Sequence, residues 1–213
     1  MKPANDPARD YRLLVRDGYD RCATAYNAER RGAPADALTP LLARLPVGAR
    51  VLDLGCGTGV PVACALAEKS HLIGVDLSRS QLALARAQVP AAEFMLGDMT
   101  TCAFLPGSFD AVVSFYAIFH VPRSEHLALF ERIHSWLKPG GYLLASLAMT
   151  DSGSYTEEFF GVEMFWSNYD MNRYREMIAS CGFQVLNEGT IPNGYAAELP
   201  PEVHPILFAQ RSP

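Results

Sequence analysis

The sequence has few of the features that mark secreted, membrane-spanning or metal-binding proteins. It contains five cysteines, an odd number, and no Cys-x-x-Cys pair, so we expect neither a disulfide framework nor a bound metal. No apolar run is long enough to cross a membrane, and residues 1–14 lack the apolar stretch of a signal peptide. These absences predict a reduced, cytoplasmic protein with no membrane partner.

Positive charge is also scarce. The 18 Lys and Arg residues against 23 Asp and Glu residues give a formal net charge of -5, and no run of five basic residues occurs. Proteins that bind nucleic acids usually carry a basic patch, so we expect no nucleic-acid partner. The 213 residues, 49% of them hydrophobic, are enough for one sizeable domain.

The middle of the chain alternates between two hydrophobic periods. Continuous apolar runs predict strands at residues 50–54, 72–76, 93–97, 110–115 and 142–148. Helical spacing predicts helices at residues 60–68, 78–88 and 124–137, the second capped by Ser78 and the third ended by "KPGG". Such alternation, with strands apolar on both faces, indicates a parallel sheet covered on both sides.

The start of the chain is predicted to be helical. One helix is expected over residues 8–31, ended by Gly32 and Pro34, and a second over residues 36–45.

The last part of the chain does not show this alternation of strand and helix patterns. Residues 150–169 show no clear period and are interpreted as a flap. Asp170 can cap a helix that Gly182 ends. Two strand-like runs follow, at residues 183–189 and 204–210, and without a crossover helix they should pair antiparallel.

The segment "VLDLGCGTGV", residues 51–60, is a strand, a glycine-rich turn and a helix start. Ligands of parallel sheets collect beyond the carboxyl ends of the strands. Gly55, Gly57 and Gly59 would let the backbone bend there and let a ligand approach closely. An ordinary strand–helix turn is the alternative that involves no ligand.

Two kinds of ligand are compatible with a glycine-rich turn. A dinucleotide fingerprint, as in a nicotinamide-dependent oxidoreductase, would place its third glycine at residue 60, which is Val60. Asp53 instead suits a cationic amine, Asp76 can accept from both hydroxyls of a ribose, and Asp98 can accept from an adenine amino group. These acids indicate a ligand that has an amine, a ribose and an adenine but no phosphate.

Four segments resemble, in order and spacing, the motifs of class I S-adenosylmethionine-dependent methyltransferases. They are "VLDLGCGTG", "IGVDLS", "LGDM" and "FDAVVSFYAIFHV" followed by "LKPGGYLLAS", and they cover roughly residues 47–149. The segment that includes "FFGVEMFWSNYD" is similar to a bacterial subgroup that acts on small molecules.

The resemblance implies one α/β domain over residues 1–213, with S-adenosyl-L-methionine as cofactor. Its Rossmann-like, doubly wound sheet would have seven strands, the last of them antiparallel. The implied segments are an N-terminal helical cap (residues 1–46), a cofactor-binding core (47–149), an aromatic flap (150–170), and a C-terminal helix with a strand pair (171–213).

The resemblance also implies roles in cofactor binding. The residues that would line the methionine part are Asp53, Gly55, Cys56, Gly57 and Phe115, with Tyr19 closing over the carboxylate. The residues that would hold the ribose and flank the adenine are Asp76, Leu77, Asp98 and Met99. Plain packing is the alternative for Tyr19, and a turn aspartate is the alternative for Asp98.

The acceptor side is predicted from aromatic residues. Residues 155–169 hold six aromatic side chains, which could form a lid over a planar or apolar molecule. The predicted lid and floor residues are Phe160, Phe165, Trp166, Tyr116 and Phe119. A hydrophobic flap on the core, or a dimer contact, is the alternative.

His120 follows the fourth predicted strand and is the candidate general base, because an imidazole with the ordinary pKa of about 6.5 can take a proton near neutral pH. A histidine that only packs at the strand end is the alternative.

The sequence thus predicts an enzyme, monomeric or homodimeric, that methylates an O or N atom of a small aromatic or apolar molecule. A related protein that binds the cofactor without transferring methyl, such as a cyclase, remains the second hypothesis.

Overall fold

The computed structural model describes residues 2–3, 10–29, 35–192 and 203–212. The helices are α1 (Tyr11–Glu29), α2 (Ala35–Leu42), α3 (Val62–Ala67), α4 (Arg79–Gln88), α5 (His126–Trp136) and α6 (Met171–Ser180). The strands are β1 (Lys2–Pro3), β2 (Ala49–Leu54), β3 (Ser70–Asp76), β4 (Glu93–Leu96), β5 (Phe109–Ser114), β6 (Leu137–Ser146), β7 (Gly153–Phe159), β8 (Val162–Asn168), β9 (Phe183–Pro192) and β10 (Val203–Arg211). Two short 3₁₀ helices span Ile118–His120 and Arg123–Glu125.

Seven strands form one sheet in the order β4-β3-β2-β5-β6-β10-β9. The first five of these pair parallel, and β10 pairs antiparallel with both β6 and β9. The doubly wound seven-stranded sheet with an antiparallel last strand is therefore confirmed.

Both faces of the central strand β2 are buried, as its continuous apolar run predicts. Val51 packs in one hydrophobic cluster, and Leu52 and Leu54 pack in another on the opposite face. Successive side chains of a strand point to opposite faces, so both sides of the sheet must be covered by other elements. This arrangement leaves the carboxyl ends of the parallel strands free to hold polar residues.

The segment without a clear period is a β-hairpin. Strands β7 and β8 pair antiparallel, and β1 adds a third strand to this small sheet. The turn residues Phe160 and Gly161 have positive φ, 49° and 77°. Met164 and Phe165 are adjacent in the strand yet both buried, so the alternation that would reveal a strand is missing.

Most predicted boundaries lie within a few residues of those observed. The caps are confirmed, since Ser78 accepts from the amide of Gln81 and Asp170 accepts from that of Arg173. The main difference is β6, which begins at Leu137 instead of residue 142 because its pairing with β5 bulges between these positions. Gly32 and Pro34, the predicted end of the first helix, lie outside the described residues.

Helix α1 is tied to the body of the domain at two places. Asp20 accepts from the hydroxyl of Ser78 at 2.6 Å and from the amide of Ser80 at 3.0 Å. Two residues before Asp20, Gly18 packs so closely on β8 that a Cβ there would lie 2.9 Å from Met164 Cε. These contacts place α1 over the carboxyl edge of the sheet.

Candidate functional site

A cavity lies at the carboxyl ends of strands β2 to β5, under helix α1. The predicted site residues that line it are Tyr19, Gly55, Gly57, Asp76, Leu77, Asp98, Met99, Phe115, Tyr116 and His120. Its volume of about 70 Å³ is small beside the roughly 300–1,000 Å³ of typical ligand sites. A cofactor-sized ligand therefore needs more room than this arrangement leaves, and side chains of α1 form one of the walls.

The glycine-rich turn is held by close packing and by Asp76. Gly55 has a φ of 72°, and a Cβ on it would lie 2.2 Å from the Cβ of Ala117. Gly57 has a φ of 55° and donates its amide to Asp76 Oδ2 at 2.8 Å, while Ser78 donates its amide to Oδ1 at 2.9 Å. A carboxylate has about four acceptor sites, so Asp76 can fix the turn and still receive hydroxyls from a ligand.

Asp98 is the acid at the end of β4, and it binds helix α1. Its Oδ2 lies 2.9 Å from Arg12 Nε, and its Oδ1 accepts from the amide of Thr100 at 2.7 Å. Arg12 also pairs with Glu125. The acid predicted to contact an adenine is thus also an anchor for α1, a contact that sequence reasoning missed.

Gln81 is a second residue that the sequence did not reveal. It lines the cavity from α4 and is 1% exposed, yet neither the oxygen nor the nitrogen of its side-chain amide has a hydrogen-bond partner. Buried polar atoms in folded proteins are almost always paired. Its orphaned amide indicates a ligand with polar atoms, which fits an adenosyl group.

Asp53 and Cys56 are buried but are not among the residues that line the cavity. The sulfur of Cys56 lies beside Gly74, 2.8 Å from where a Cβ on that glycine would be. Burial, and then the nearby Asp76 and Asp53, raise the pKa of the Cys56 thiol well above its ordinary value. We therefore find Cys56 to be a neutral packing residue, and Asp53 can act on a ligand only through its charge or a rearrangement.

A second cavity of about 430 Å³ adjoins the first. The two cavities share Tyr19, Tyr26, Tyr116 and His120 as lining residues. The size of the second cavity suits a small organic molecule.

The structure divides the predicted acceptor residues into two groups. Tyr116, Phe119 and Trp166 line the second cavity. Phe165 instead stacks on Tyr11 with ring centroids 4.3 Å apart, and Phe160 packs at the hairpin turn against Tyr26. Neither of these two phenylalanines lines the cavity, because Phe165 points to the face of β8 opposite to that of Trp166 and Phe160 lies in the turn of the hairpin.

Tyr116 has a backbone conformation that is rare for a residue with a side chain. Its φ is 56°, its amide donates to Ser146 Oγ at 2.6 Å, and its hydroxyl donates to the carbonyl of Pro192. Non-glycine residues in this region are strained and are found mostly where the surroundings impose the conformation, often at functional sites. The surroundings of Tyr116 impose this strained conformation, and its ring lies at the boundary of the two cavities.

His120 lies at the same boundary and has both ring nitrogens engaged. Nδ1 lies 2.7 Å from the carbonyl oxygen of Phe165, and Nε2 lies 2.9 Å from the hydroxyl of Tyr19. A carbonyl can only accept, so Nδ1 carries the proton and Nε2 accepts from Tyr19. Burial lowers the pKa of His120 to about 4. This pKa lies below the ordinary value of about 6.5 on which the candidate base rested, and the imidazole is neutral at neutral pH.

The described part of the chain shows neither a membrane span nor a metal cluster. None of its helices has the length and hydropathy needed to cross a bilayer. Nor does it bring together three or more His, Cys, Asp or Glu side chains that could hold a metal ion.

Known proteins share this sequence pattern and this fold. Residues 51–141 match the family model described as a methyltransferase domain. Phosphoethanolamine N-methyltransferase 1 of Triticum aestivum is 32% identical over 146 residues, which are 65% of this chain and 29% of that protein. Trans-aconitate 2-methyltransferase of Deinococcus radiodurans is 40% identical over 119 residues, which are 54% of this chain and 43% of that protein. The chain thus spans less than half the length of either curated relative.

The fold as a whole matches solved structures at low sequence identity. Magnesium protoporphyrin IX methyltransferase from Synechocystis PCC 6803, crystallised with bound S-adenosylmethionine, has a TM-score of 0.73 and 19% identity, with 98% of this chain and 100% of that chain covered. The matched domain over residues 51–141 and the ordered motifs support a class I S-adenosylmethionine-dependent methyltransferase, and the fold of the whole chain agrees with it.

Proposed function

We propose that the protein transfers the methyl group of S-adenosyl-L-methionine to an O or N atom of a small molecule. The observation that carries this proposal is the shared boundary of the two cavities, formed by Tyr19, Tyr26, Tyr116 and His120. A methyl donor in the first cavity and an acceptor in the second would meet at this boundary. Transfer needs such an alignment, since the reacting atoms must approach in line and within van der Waals contact.

The first cavity offers a partner for each part of the cofactor. Asp76 accepts from the ribose, Leu77 and Met99 flank the adenine, and Gln81 hydrogen-bonds the adenosyl group. Gly55, Gly57 and Phe115 surround the methionine part, whose amine the charge of Asp53 attracts. When bound, the cofactor supplies a sulfonium that makes its methyl group electrophilic.

Tyr19 and His120 position the acceptor. The Tyr19 hydroxyl donates to His120 at the boundary of the two cavities, and a phenol oxygen can accept from an O–H or N–H group of an acceptor in the second cavity. Because the pKa of His120 is about 4, the imidazole is a weak base at neutral pH. The pair therefore orients the acceptor rather than removing its proton ahead of methyl transfer.

The aromatic wall of the second cavity binds the planar or apolar part of the acceptor. Tyr155 and Trp166 stack with ring centroids 5.7 Å apart and an interplanar angle of 14°. Stacked rings present flat apolar surface, which favours a molecule that can pack against it.

An activity assay tests the proposal. The protein is incubated with S-adenosylmethionine and fractions of small-molecule extracts, and mass spectrometry measures the S-adenosylhomocysteine that forms. We expect S-adenosylhomocysteine to accumulate only when an acceptor is present. Trp166→Ala should raise the acceptor KM and leave the affinity for S-adenosylhomocysteine unchanged. A protein that binds the cofactor and never forms S-adenosylhomocysteine would support the second hypothesis, a non-methylating relative.

A further inference from the structure

The side-chain amide of Gln81 lies in the wall of the cofactor cavity without a hydrogen-bond partner. Gln81 lines this cavity and is 1% exposed, and both Oε1 and Nε2 are buried and unpaired. A carboxamide has one oxygen that accepts and two hydrogens that it can donate. It is therefore satisfied by a ligand group that presents a donor beside an acceptor.

Gln81 also lies next to the acid that is proposed to hold the ribose. Ser78 connects the two, since its amide donates to Asp76 Oδ1 at 2.9 Å and its hydroxyl oxygen accepts from the amide of Gln81 at 3.1 Å. Gln81 thus occupies the first turn of α4, just beyond the end of β3. A base carried by a ribose at Asp76 can contact this side chain.

Asp98, the acid expected to accept from the adenine amino group, already has partners in the protein. Its Oδ1 accepts from the amide of Thr100 at 2.7 Å and from the hydroxyl of the same residue at 2.8 Å. Its Oδ2 lies 2.9 Å from Arg12 Nε, and this guanidinium balances its charge. A ligand therefore gains more at Gln81, where a hydrogen bond satisfies a buried unpaired group and replaces no hydrogen bond of the protein.

Adenine has the arrangement of polar atoms that a carboxamide recognises. Its 6-amino group donates, and the adjacent ring nitrogen N7 accepts, so a glutamine can pair with this edge through two hydrogen bonds. The ribose hydroxyls are the other neutral donors of the cofactor, and Asp76 is proposed to accept from them. We infer that Gln81, and not Asp98, reads the adenine amino group and sets the base specificity of the site. The inference rests on the proposed function and names the residue that selects the base of its cofactor.

Removal of the adenine amino group tests this assignment without any variant. The 6-deamino analogue of S-adenosylhomocysteine carries a hydrogen atom in place of that group and keeps the ring nitrogens. Each of the two ligands is titrated by calorimetry into the wild-type protein. We expect S-adenosylhomocysteine to bind at least about tenfold more tightly, because the analogue leaves the buried oxygen of Gln81 unpaired.

Variants identify the residue that carries this preference, which is a ratio of two affinities measured on the same protein. Gln81→Leu removes both polar atoms and should reduce the preference by at least about threefold. Asp98→Ala should keep the wild-type preference, even where the loss of the contact with Arg12 weakens the binding of both ligands. Gln184→Leu, at an exposed position on β9, is the matched control and should also keep the preference.

Each outcome supports or overturns the assignment. A smaller preference in the wild type than expected, or a smaller reduction in Gln81→Leu, overturns it. Loss of the preference in Asp98→Ala also overturns it, and if that variant does not fold, the wild-type and Gln81→Leu ratios decide alone. Wild-type protein that binds S-adenosylhomocysteine without preference contradicts only the role of Gln81. Wild-type protein that fails to bind S-adenosylhomocysteine contradicts the proposed function as well.

Discussion

At the scale of single residues, we propose that the buried side-chain amide of Gln81 pairs with the cofactor. The amide is buried with no partner on either atom, whereas its neighbours Leu82 and Ala85 on α4 are ordinary core residues. Such a group destabilises the fold until a ligand pairs with it. We therefore assign its role to binding and not to stability.

Gln81→Leu should weaken S-adenosylhomocysteine binding by roughly tenfold, since one or two hydrogen bonds of about 0.5–1.5 kcal/mol each are lost. The free energy of unfolding of the Gln81→Leu variant should stay the same or rise, because an apolar group replaces an unpaired amide. Calorimetry and urea unfolding measure the two quantities. Gln184→Leu, at an exposed position on β9, is the control and should leave binding unchanged. A Gln81→Leu protein with wild-type affinity would remove Gln81 from the site.

Gly55 tests whether the glycine-rich turn needs its close approach to Ala117. Gly55→Ala combines a positive φ with a 2.2 Å clash, so its free energy of unfolding should fall by roughly 2–5 kcal/mol. Gly107→Ala is the matched control, since its φ is 64° but no atom lies within 4 Å of the added Cβ. The free energy of unfolding of Gly107→Ala should fall by only about 1–2 kcal/mol. Equal losses in urea unfolding would show that the clash is relieved without penalty.

At the scale of elements, we propose that helix α1 controls access to the cofactor cavity. Arg12, Val15 and Tyr19 on this helix line a cavity of about 70 Å³. Because the cavity is smaller than a cofactor needs, we expect α1 to shift when the cofactor binds. Polar anchors, such as the Arg12–Asp98 pair, can break and re-form without exposing much of the core.

Hydrogen exchange tests this role of α1. Amides of α1 should exchange more slowly once S-adenosylhomocysteine is bound, because the ligand adds contacts to the wall that α1 forms, and amides of the hairpin should follow because β8 packs on α1. Helix α6 does not line either cavity and is the internal control, with exchange expected to be unchanged. Identical exchange of α1 with and without ligand would show that the helix is a fixed part of the fold.

The alternating elements from β2 to β6 could be predicted because the central strands β2 and β5 are buried on both faces and each helix has one apolar face, although the edge strand β4 is largely exposed. The hairpin could not, since burial of both Met164 and Phe165 removes the period of a strand. The acids Asp76 and Asp98 could be placed because they follow strand ends. Phe165 could not be assigned to a face, because a shift of one residue in register reverses every side chain. The orphaned amide of Gln81 becomes visible only from its surroundings.

At the scale of the whole molecule, two buried histidines couple stability to pH. His126 donates from Nε2 to the carbonyl of Val121 at 2.9 Å and lies 3.1 Å from the hydroxyl of Tyr174, much as His120 lies between a carbonyl and Tyr19. Burial lowers the pKa of both to about 4, against an unfolded value of about 6.5. Between these values the unfolded chain binds more protons than the folded one.

The stabilising contribution is fully present above about pH 6.5 and is lost as the pH falls toward about 4. Between about pH 7.5 and about pH 5, each histidine should lower the free energy of unfolding by about 2 kcal/mol. Urea unfolding at both values measures the loss, and His126→Gln should show a smaller loss than the wild type. Equal stability of the wild type at the two values would mean that neither histidine is held neutral by the fold.

We propose that the cavity at the carboxyl edge of the sheet binds S-adenosylmethionine. Calorimetric titration of the wild type with S-adenosylhomocysteine, with NAD as the competing nucleotide, tests it most directly. We expect one site per chain with a Kd on the order of micromolar and no heat from NAD. Asp76→Asn loses a charged acceptor for the ribose, so its affinity should be weaker by roughly tenfold or more. No heat with S-adenosylhomocysteine, or binding of NAD at the same site, would contradict it.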